Sequence, residues 1–319
     1  MAPQDENPDK SYFRMDFVQE IIDYEETEDG VVAKFAMVPN PDRYKKIETE
    51  EFQGYYDTLD KAYIPFSTIE SFASQMRGTP IYHSSPEIDN TSEYIKNRKE
   101  TIERFFEEEQ EPPELIDASQ ELLQELADKN DTRFVILSID IVGSTQLSQD
   151  LETEEYRKII QLFFREISVM IRDFKGHVLD YQGDRVVAYF PDPNYTGMHD
   201  NSIDCASSIK KLILEGINPV LQSRDLPELH FRIGMDSGEA DIVSIGASGV
   251  RGELSLFGST INLASKIENQ ASEDEILLGE ETERNLHTMW RQNTEQVTFD
   301  DWDYEKENGE QYRVYRLKY

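Results

Sequence analysis

Apolar residues recur along the second half of the chain in two rhythms. RFVILSIDIV, beginning at Arg133, is an almost unbroken apolar run and predicts a buried strand. TEEYRKIIQLFFREISVMIRDFKG then carries Ile159, Ile160, Phe163, Phe164, Ile167, Met170, Ile171 and Phe174 on one helical face, with Gly176 as the stop. HVLDY and RVVAYF read as strands joined across Gln182, Gly183 and Asp184. A second helix, SIDCASSIKKLILEGI, precedes strands LHFRIGMD and ADIVSIG, a helix STINLASKIENQ and a last strand YRVYRLK. The order is β-α-β-β-α-β with additions, which predicts an α/β (α+β) fold on the ferredoxin-like plan.

The first part of the chain is patterned differently. DFVQEIIDYEETEDGVVAKFAMVP has two strand-like runs around Asp29 and Gly30, a hairpin signal. STIESFASQM and TSEYIKNRKETIERFFEE have helical spacing with Ser or Thr starts. The aromatics of YYDTLDKAYIPF suit either core or a ligand surface, and core is the commoner use. Residues 106–131 are acidic, contain Pro112 and Pro113, and end in a short helical stretch with Leu122, Leu123 and Leu126, which reads as a connector. Two regions are therefore expected: residues 1–125, a mixed α/β region with no evident catalytic constellation, and residues 126–319, the βαββαβ region.

Two charges interrupt the second region where the pattern calls for apolar residues or a plain turn. Asp140 lies inside a strand-like run, and Asp184 lies in the glycine turn between two others. A buried charge costs several kcal/mol unless it is paired. The βαββαβ plan lays the end of the first strand beside that turn, so the two aspartates can meet across neighbouring strands. With the Ile141 carbonyl and the backbone N–H groups of Gly143, Ser144 and Thr145, they would form a site for two hard divalent cations, Mn²⁺ or Mg²⁺, and a phosphate chain. Such a site suits metal-assisted attack on a phosphoryl group. The alternative is purely structural: Asp140 caps a turn and Asp184 occupies an ordinary hairpin tip.

Composition narrows the partners. The 319 residues include 65 Asp and Glu against 32 Lys and Arg, a net charge of −33. Nucleic acid and anionic membrane surfaces would be repelled, and a polyanionic substrate would need metal ions or a local cationic pocket. One cysteine excludes an intramolecular disulfide, five histidines lack zinc-ligand spacing, and no stretch reads as a membrane span. A cytoplasmic location is expected.

The runs FVILSIDIVGST, GHVLDYQGDRVVAYF, FRIGMDSGEADIVSIG and LSLFGSTINLASKIE resemble, in order and spacing, the catalytic domain of class III nucleotidyl cyclases. The resemblance implies a homodimer with composite sites at its interface, metal aspartates from one subunit and the remaining groups from the other. It implies Asp140 and Asp184 as the metal pair, Asn262 as the residue that orients the ribose, and Lys266 in the place of an arginine that stabilises the transition state. Lys306, in EKENGEQYRVY, takes the place of a lysine that binds terminal phosphates. Lys266 keeps the charge of the arginine but lacks its bidentate fork. GGDEF and G-x-x-x-x-G-K-[ST] signatures are absent from the sequence.

At the two positions that read the base, adenylate cyclases carry lysine and aspartate, whereas this chain has Asp180 and Ser255. A carboxylate can only accept, so Asp180 fits the ring N–H of guanine or uracil, and Ser255 can donate to the adjacent carbonyl. Whole-chain resemblance to the pyrimidine cyclases of bacterial antiphage (Pycsar) defence selects UTP and cyclic UMP, a second messenger read by a separate cyclic-nucleotide-binding effector. An ordinary guanylate or adenylate cyclase, and an inactive cyclase fold kept for dimerisation or nucleotide sensing, are the alternatives.

Overall fold

The computed structural model describes residues 15–27, 30–75, 86–107, 118–127, 132–191, 197–247, 251–306 and 308–318. The chain forms two compact units, residues 1–81 with 287–292, and residues 82–286 with 293–319.

The smaller unit holds a hairpin of β1 (Phe17–Thr27) and β2 (Gly30–Pro39), paired from Phe17↔Pro39 to Thr27↔Gly30; the Asp29 turn expected here lies outside the described residues. A three-stranded antiparallel sheet of β3 (Tyr44–Glu48), β4 (Gln53–Asp57) and β5 (Ala62–Pro65) leads into α1 (Phe66–Gln75). The aromatics of this stretch pack on one another, Tyr55 on Phe66 at 5.5 Å and Tyr56 on Tyr63 at 5.1 Å. Asp16 accepts from the Asn40 amide and the Thr288 N–H, and Asp60 pairs with Arg43 and Arg291, both at bonding distance, so residues 287–292 belong here.

The larger unit begins with α2 (Thr91–Glu107) and α3 (Ala118–Leu126), followed by β6 (Arg133–Ile141), α4 (Ser144–Asp150), α5 (Thr153–Asp173), β7 (His177–Gln182) and β8 (Arg185–Pro191). Then come α6 (Gly197–Lys211), a π-helical turn (Leu212–Ile217), α7 (Asn218–Gln222), β9 (Phe231–Glu239), the hairpin β10 (Asp241–Ala247) and β11 (Arg251–Phe257), and α8 (Ser259–Gln270). β12 (Glu275–Gly279) and α9 (Glu280–Arg284) lead to α10 (Thr288–Arg291) in the smaller unit, and β13 (Thr294–Val297) and β14 (Val314–Leu317) return to the larger. The π-helical turn falls just before Pro219, whose missing N–H shifts the bonding register of the single helix expected over this stretch.

The main sheet runs β13-β14-β12-β9-β6-β8-β7, and β9-β6-β8-β7 is its antiparallel ferredoxin-like core. β10 and β11 form a separate two-stranded sheet. Alternation along β6 puts Phe134, Ile136, Ser138 and Asp140 on one face. Phe134 and Ile136 join Val187, Tyr189, Leu123, Leu126, Leu256 and Ala264 in one apolar cluster beneath α3 and α8. α3 is fastened to the hairpin by the Gln120 amide, which bonds the Leu254 N–H and carbonyl, each at 2.7 Å. α2 is fastened by Arg98, whose Nε lies 2.6 Å from the fully buried Glu166 of α5. The division expected at residues 125/126 falls inside α3, whereas the compact units divide at residues 81/82, because α2 and α3 both pack in the larger one.

α8 lies directly on β9 at two glycines. A Cβ on Gly234 would sit 2.2 Å from the Glu268 N, and one on Gly238 would sit 2.3 Å from Thr260 Oγ1. The close approach brings the C-terminal turn of α8 down to the end of β6. Gly234→Ala must push helix from strand and is expected to cost roughly 3 kcal/mol, read as a lower denaturant midpoint at unchanged slope; a midpoint like that of the wild type would contradict this packing.

Asp236, in the middle of β9, is buried and accepts a 2.8 Å hydrogen bond from Tyr312 Oη. Burial, against the pull of that hydrogen bond, pushes its carboxyl up to about 8 from 3.8. Because the folded value is raised, the stability it contributes is complete below about pH 4 and is lost as pH rises through 8. Asp236→Asn keeps the acceptor and removes the titration. Its stability relative to wild type is expected to climb by about 1 kcal/mol per pH unit between pH 5 and 8, and parallel stability-against-pH curves would refute the assignment.

Candidate functional site

At the C-terminal end of β6 a cavity of about 520 Å³ opens between β6, the β7–β8 turn and the start of β9. Asp140, Ile141, Gly143, Ser144, Thr145, Gln182, Asp184, Arg185 and Arg232 line it. Strand pairing explains the convergence, since Asp140 stands opposite Arg232 in the β6/β9 register and Gln182 opposite Arg185 across the β7/β8 turn. Gly183 at φ 69° and Gly143 at φ 72° make the two tight turns at the rim. The Val142 N–H is used by the His230 carbonyl at 2.9 Å, while the first turn of α4, starting at Ser144, has N–H groups without intrahelical acceptors.

Asp140 is buried and paired: Arg232 Nη2 donates to its Oδ2 at 2.7 Å. Glu268 of α8 is fully buried beneath this pair, with Oε2 2.8 Å from Arg185 Nη2 and Oε1 3.5 Å from Arg232 Nε. Burial raises the Glu268 carboxyl to about 7, opposed by Arg185 and reinforced by the Asp140 charge. Arg185, Glu268, Arg232 and Asp140 therefore form a run of alternating charge, with Glu268 buried behind the lining residues of one wall.

The donor set fits hard divalent cations. Asp140, Asp184 and Ile141 are among the lining residues, which include neither thiol nor imidazole. Among the described residues no group of three or more His, Cys, Asp or Glu is placed to hold a metal ion. Phosphate oxygens and water would have to supply the rest of the coordination.

The other residues singled out in the sequence lie outside the cavity lining. Asp180, exposed next to a bulge in β7, accepts from the Tyr181 N–H at 2.8 Å and the Gln182 amide at 3.1 Å. Ser255 is half-buried in β11 opposite Val243. Asn262 and Lys266 are exposed one turn apart on α8, and Lys266 Nζ sits 5.7 Å above the Tyr304 ring. Lys306 is held by Glu280 and Glu310, both at 3.0 Å. Within one chain, then, the carboxylates and the Gly143–Thr145 turn are together, and the ribose, base and terminal-phosphate candidates are elsewhere.

Sequence reasoning passed over Arg185, Arg232 and Glu268. Glu268 carried a usable signal, since it lies four residues after Ala264 on the buried stripe of α8. Among the described residues no helix is long and apolar enough to cross a membrane.

The family of adenylate and guanylate cyclase catalytic domains matches residues 127–318. A cytidylate cyclase of Escherichia coli is 28% identical over 166 residues, 49% of this chain and 36% of that protein. A uridylate cyclase of Burkholderia cepacia is 29% identical over 140 residues, 43% of this chain and 58% of that protein. This chain therefore spans only about a third to just over half of the length of these relatives. Among solved structures, the adenylyl cyclase CyaB from P. aeruginosa superposes with a TM-score of 0.51 at 20% identity, covering 58% of this chain and 93% of that one.

Proposed function

Because the chain belongs to the family of adenylate and guanylate cyclase catalytic domains, we propose that it is a metal-dependent cyclase that converts UTP to 3′,5′-cyclic UMP and diphosphate. The reading is carried by the meeting of Asp140 and Asp184 in one cavity beside the Gly143–Thr145 turn. Cyclisation joins the ribose 3′ oxygen to the α-phosphorus, breaks the bond from that phosphorus to the diphosphate, and releases the hydroxyl proton. Two divalent cations, Mn²⁺ or Mg²⁺, held by Asp140, Asp184 and the Ile141 carbonyl, would neutralise the triphosphate and polarise the α-phosphoryl group. The chain's own part is to hold those cations, to receive phosphate oxygens on the backbone N–H groups at the start of α4, and to orient the ribose through Asn262 while Lys266 meets the developing charge.

In this reading the site is shared between two copies of the chain. Asn262 and Lys266 are exposed and do not line their own chain's cavity. Tyr181, Ile245 and Phe257, on β7, β10 and β11, are large exposed apolar side chains of the kind an interface covers. The product would act as a second messenger in antiphage defence, read by a separate effector.

Preference for UTP over CTP and ATP rests on Asp180, a carboxylate acceptor suited to the ring N–H of uracil or guanine and repelled by the ring-nitrogen lone pair of cytosine or adenine, and the resemblance to pyrimidine cyclases sets UTP above GTP. A mismatched hydrogen bond in a desolvated pocket is worth ~1–3 kcal/mol, roughly a ten- to hundredfold preference. A second reading, cytidylate cyclisation, has the similarity to cytidylate cyclases of Escherichia coli and Staphylococcus aureus in its favour, both at 28% identity. Incubating the purified chain with Mn²⁺ and each of the four nucleoside triphosphates, then identifying products by mass, separates them. UTP is expected to be turned over fastest, and faster turnover of ATP or CTP would defeat the Asp180 argument.

A further inference from the structure

The wall of alternating charge contains a bond that is available but not made. Arg232 Nε and Glu268 Oε1 are both buried and lack hydrogen-bond partners, yet they lie only 3.5 Å apart. Buried donors and acceptors are seldom left in this condition. Here the cause is visible, because the Arg232 guanidinium is turned to Asp140, where Nη2 makes its 2.7 Å bond. Glu268 meanwhile is anchored by Arg185 at its other oxygen.

We propose that Arg232 is an exchangeable internal cation: it neutralises Asp140 while no divalent cation is bound, and turns to Glu268 when one binds, making the missing Nε–H···Oε1 bond. The inference rests on the reading that Asp140 and Asp184 hold a divalent cation. A buried carboxylate without a counter-ion is costly, so the metal-free protein needs Arg232 at Asp140. A guanidinium and a divalent cation on one carboxylate repel each other, so the loaded protein needs Arg232 elsewhere. Glu268 supplies the alternative partner within reach of a side-chain rotation, with Arg185 keeping it in place. The element has two discrete arrangements, and the cation binds one of them. Glu268 is thus a positioning residue for the metal site, acting through Arg232.

Mn²⁺ affinity of the full chain, measured calorimetrically without nucleotide, tests this in four proteins: wild type, Glu268→Gln, Arg232→Met and the double variant. Glu268→Gln is expected to weaken Mn²⁺ binding roughly tenfold, the worth of a charged hydrogen bond. Arg232→Met is expected to tighten it, and in that background Glu268→Gln should change affinity by less than about twofold. An equal loss with and without Arg232 would mean that Glu268 acts through its charge alone, and the exchange would be refuted. If Asp140→Ala binds Mn²⁺ as tightly as wild type, the metal assignment fails rather than the exchange. Should the variants unfold, the wild type suffices: solvent exchange of the Arg232 Nε–H, followed by nitrogen-15 NMR, is expected to slow on saturation with Mg²⁺. An unchanged rate in protein that binds Mg²⁺ would overturn the proposal.

Discussion

Asp140→Ala and Asp184→Ala are each expected to lower cyclisation by about a thousandfold or more with Mn²⁺ present, since metal stabilisation of transition-state charge is worth several kcal/mol. Neither is expected to unfold the protein. Asp140 sits at the end of β6 beside an open cavity, and the apolar cluster of that sheet face lies farther back at Phe134 and Ile136. A lone buried aspartate would predict a rise in melting temperature on its removal. Its bond to Arg232 changes that expectation: Asp140→Ala frees a guanidinium that Glu268, 3.5 Å from its Nε, can take up, so the metal-free melting temperature should move little. Near wild-type turnover by either variant would contradict the assignment of the two aspartates as a metal pair.

The βαββαβ strands and helices of the larger unit were legible because their patterns are local and strong, whereas β11, β12 and β13 were not read. STINLASKIENQ is the α8 helix, and the apolar face read along α5 is buried at Ile159, Phe163, Ile167, Met170 and Ile171. Asp140 stood out because it breaks an apolar strand pattern, and Asp184 because the fold plan lays its turn beside the end of that strand. Glu166 and Glu268 break theirs in the same way, on the buried stripes of α5 and α8, but a glutamate in a helix rich in charge is easily taken for a solvated one. Arg232 and Arg185 had no such signal, since an arginine at a strand end is ordinary, and only the pairing of three strands brings them to one carboxylate. The return of residues 287–292 to the smaller unit was beyond local reading. It depends on contacts such as that of Asp16 with Thr288, which are 272 positions apart. The sequence assigns α2 to the first region and α3 to a connector because their partners, Glu166 and Leu254, lie far along the chain.

The second large effect concerns the division of the site between two copies. Asp140→Ala and Asn262→Ala are each expected to be inactive alone, for different reasons: one lacks a cation ligand, the other the group that orients the ribose. If Asp140 of one chain works with Asn262 of the other, a mixed dimer has one site with both defects and one site with neither. Equal mixing gives half mixed dimers by statistics, each with one of two sites intact, so about a quarter of wild-type activity should return. A chain that uses its own Asn262 with its own Asp140 would recover nothing, because every site would keep one defect. The decisive measurement is therefore cyclic nucleotide formed by the two inactive proteins after subunit exchange, confirmed by mass spectrometry of the intact dimers: recovery near a quarter of wild type is the result the shared site requires, and no recovery in dimers shown to have exchanged would contradict it.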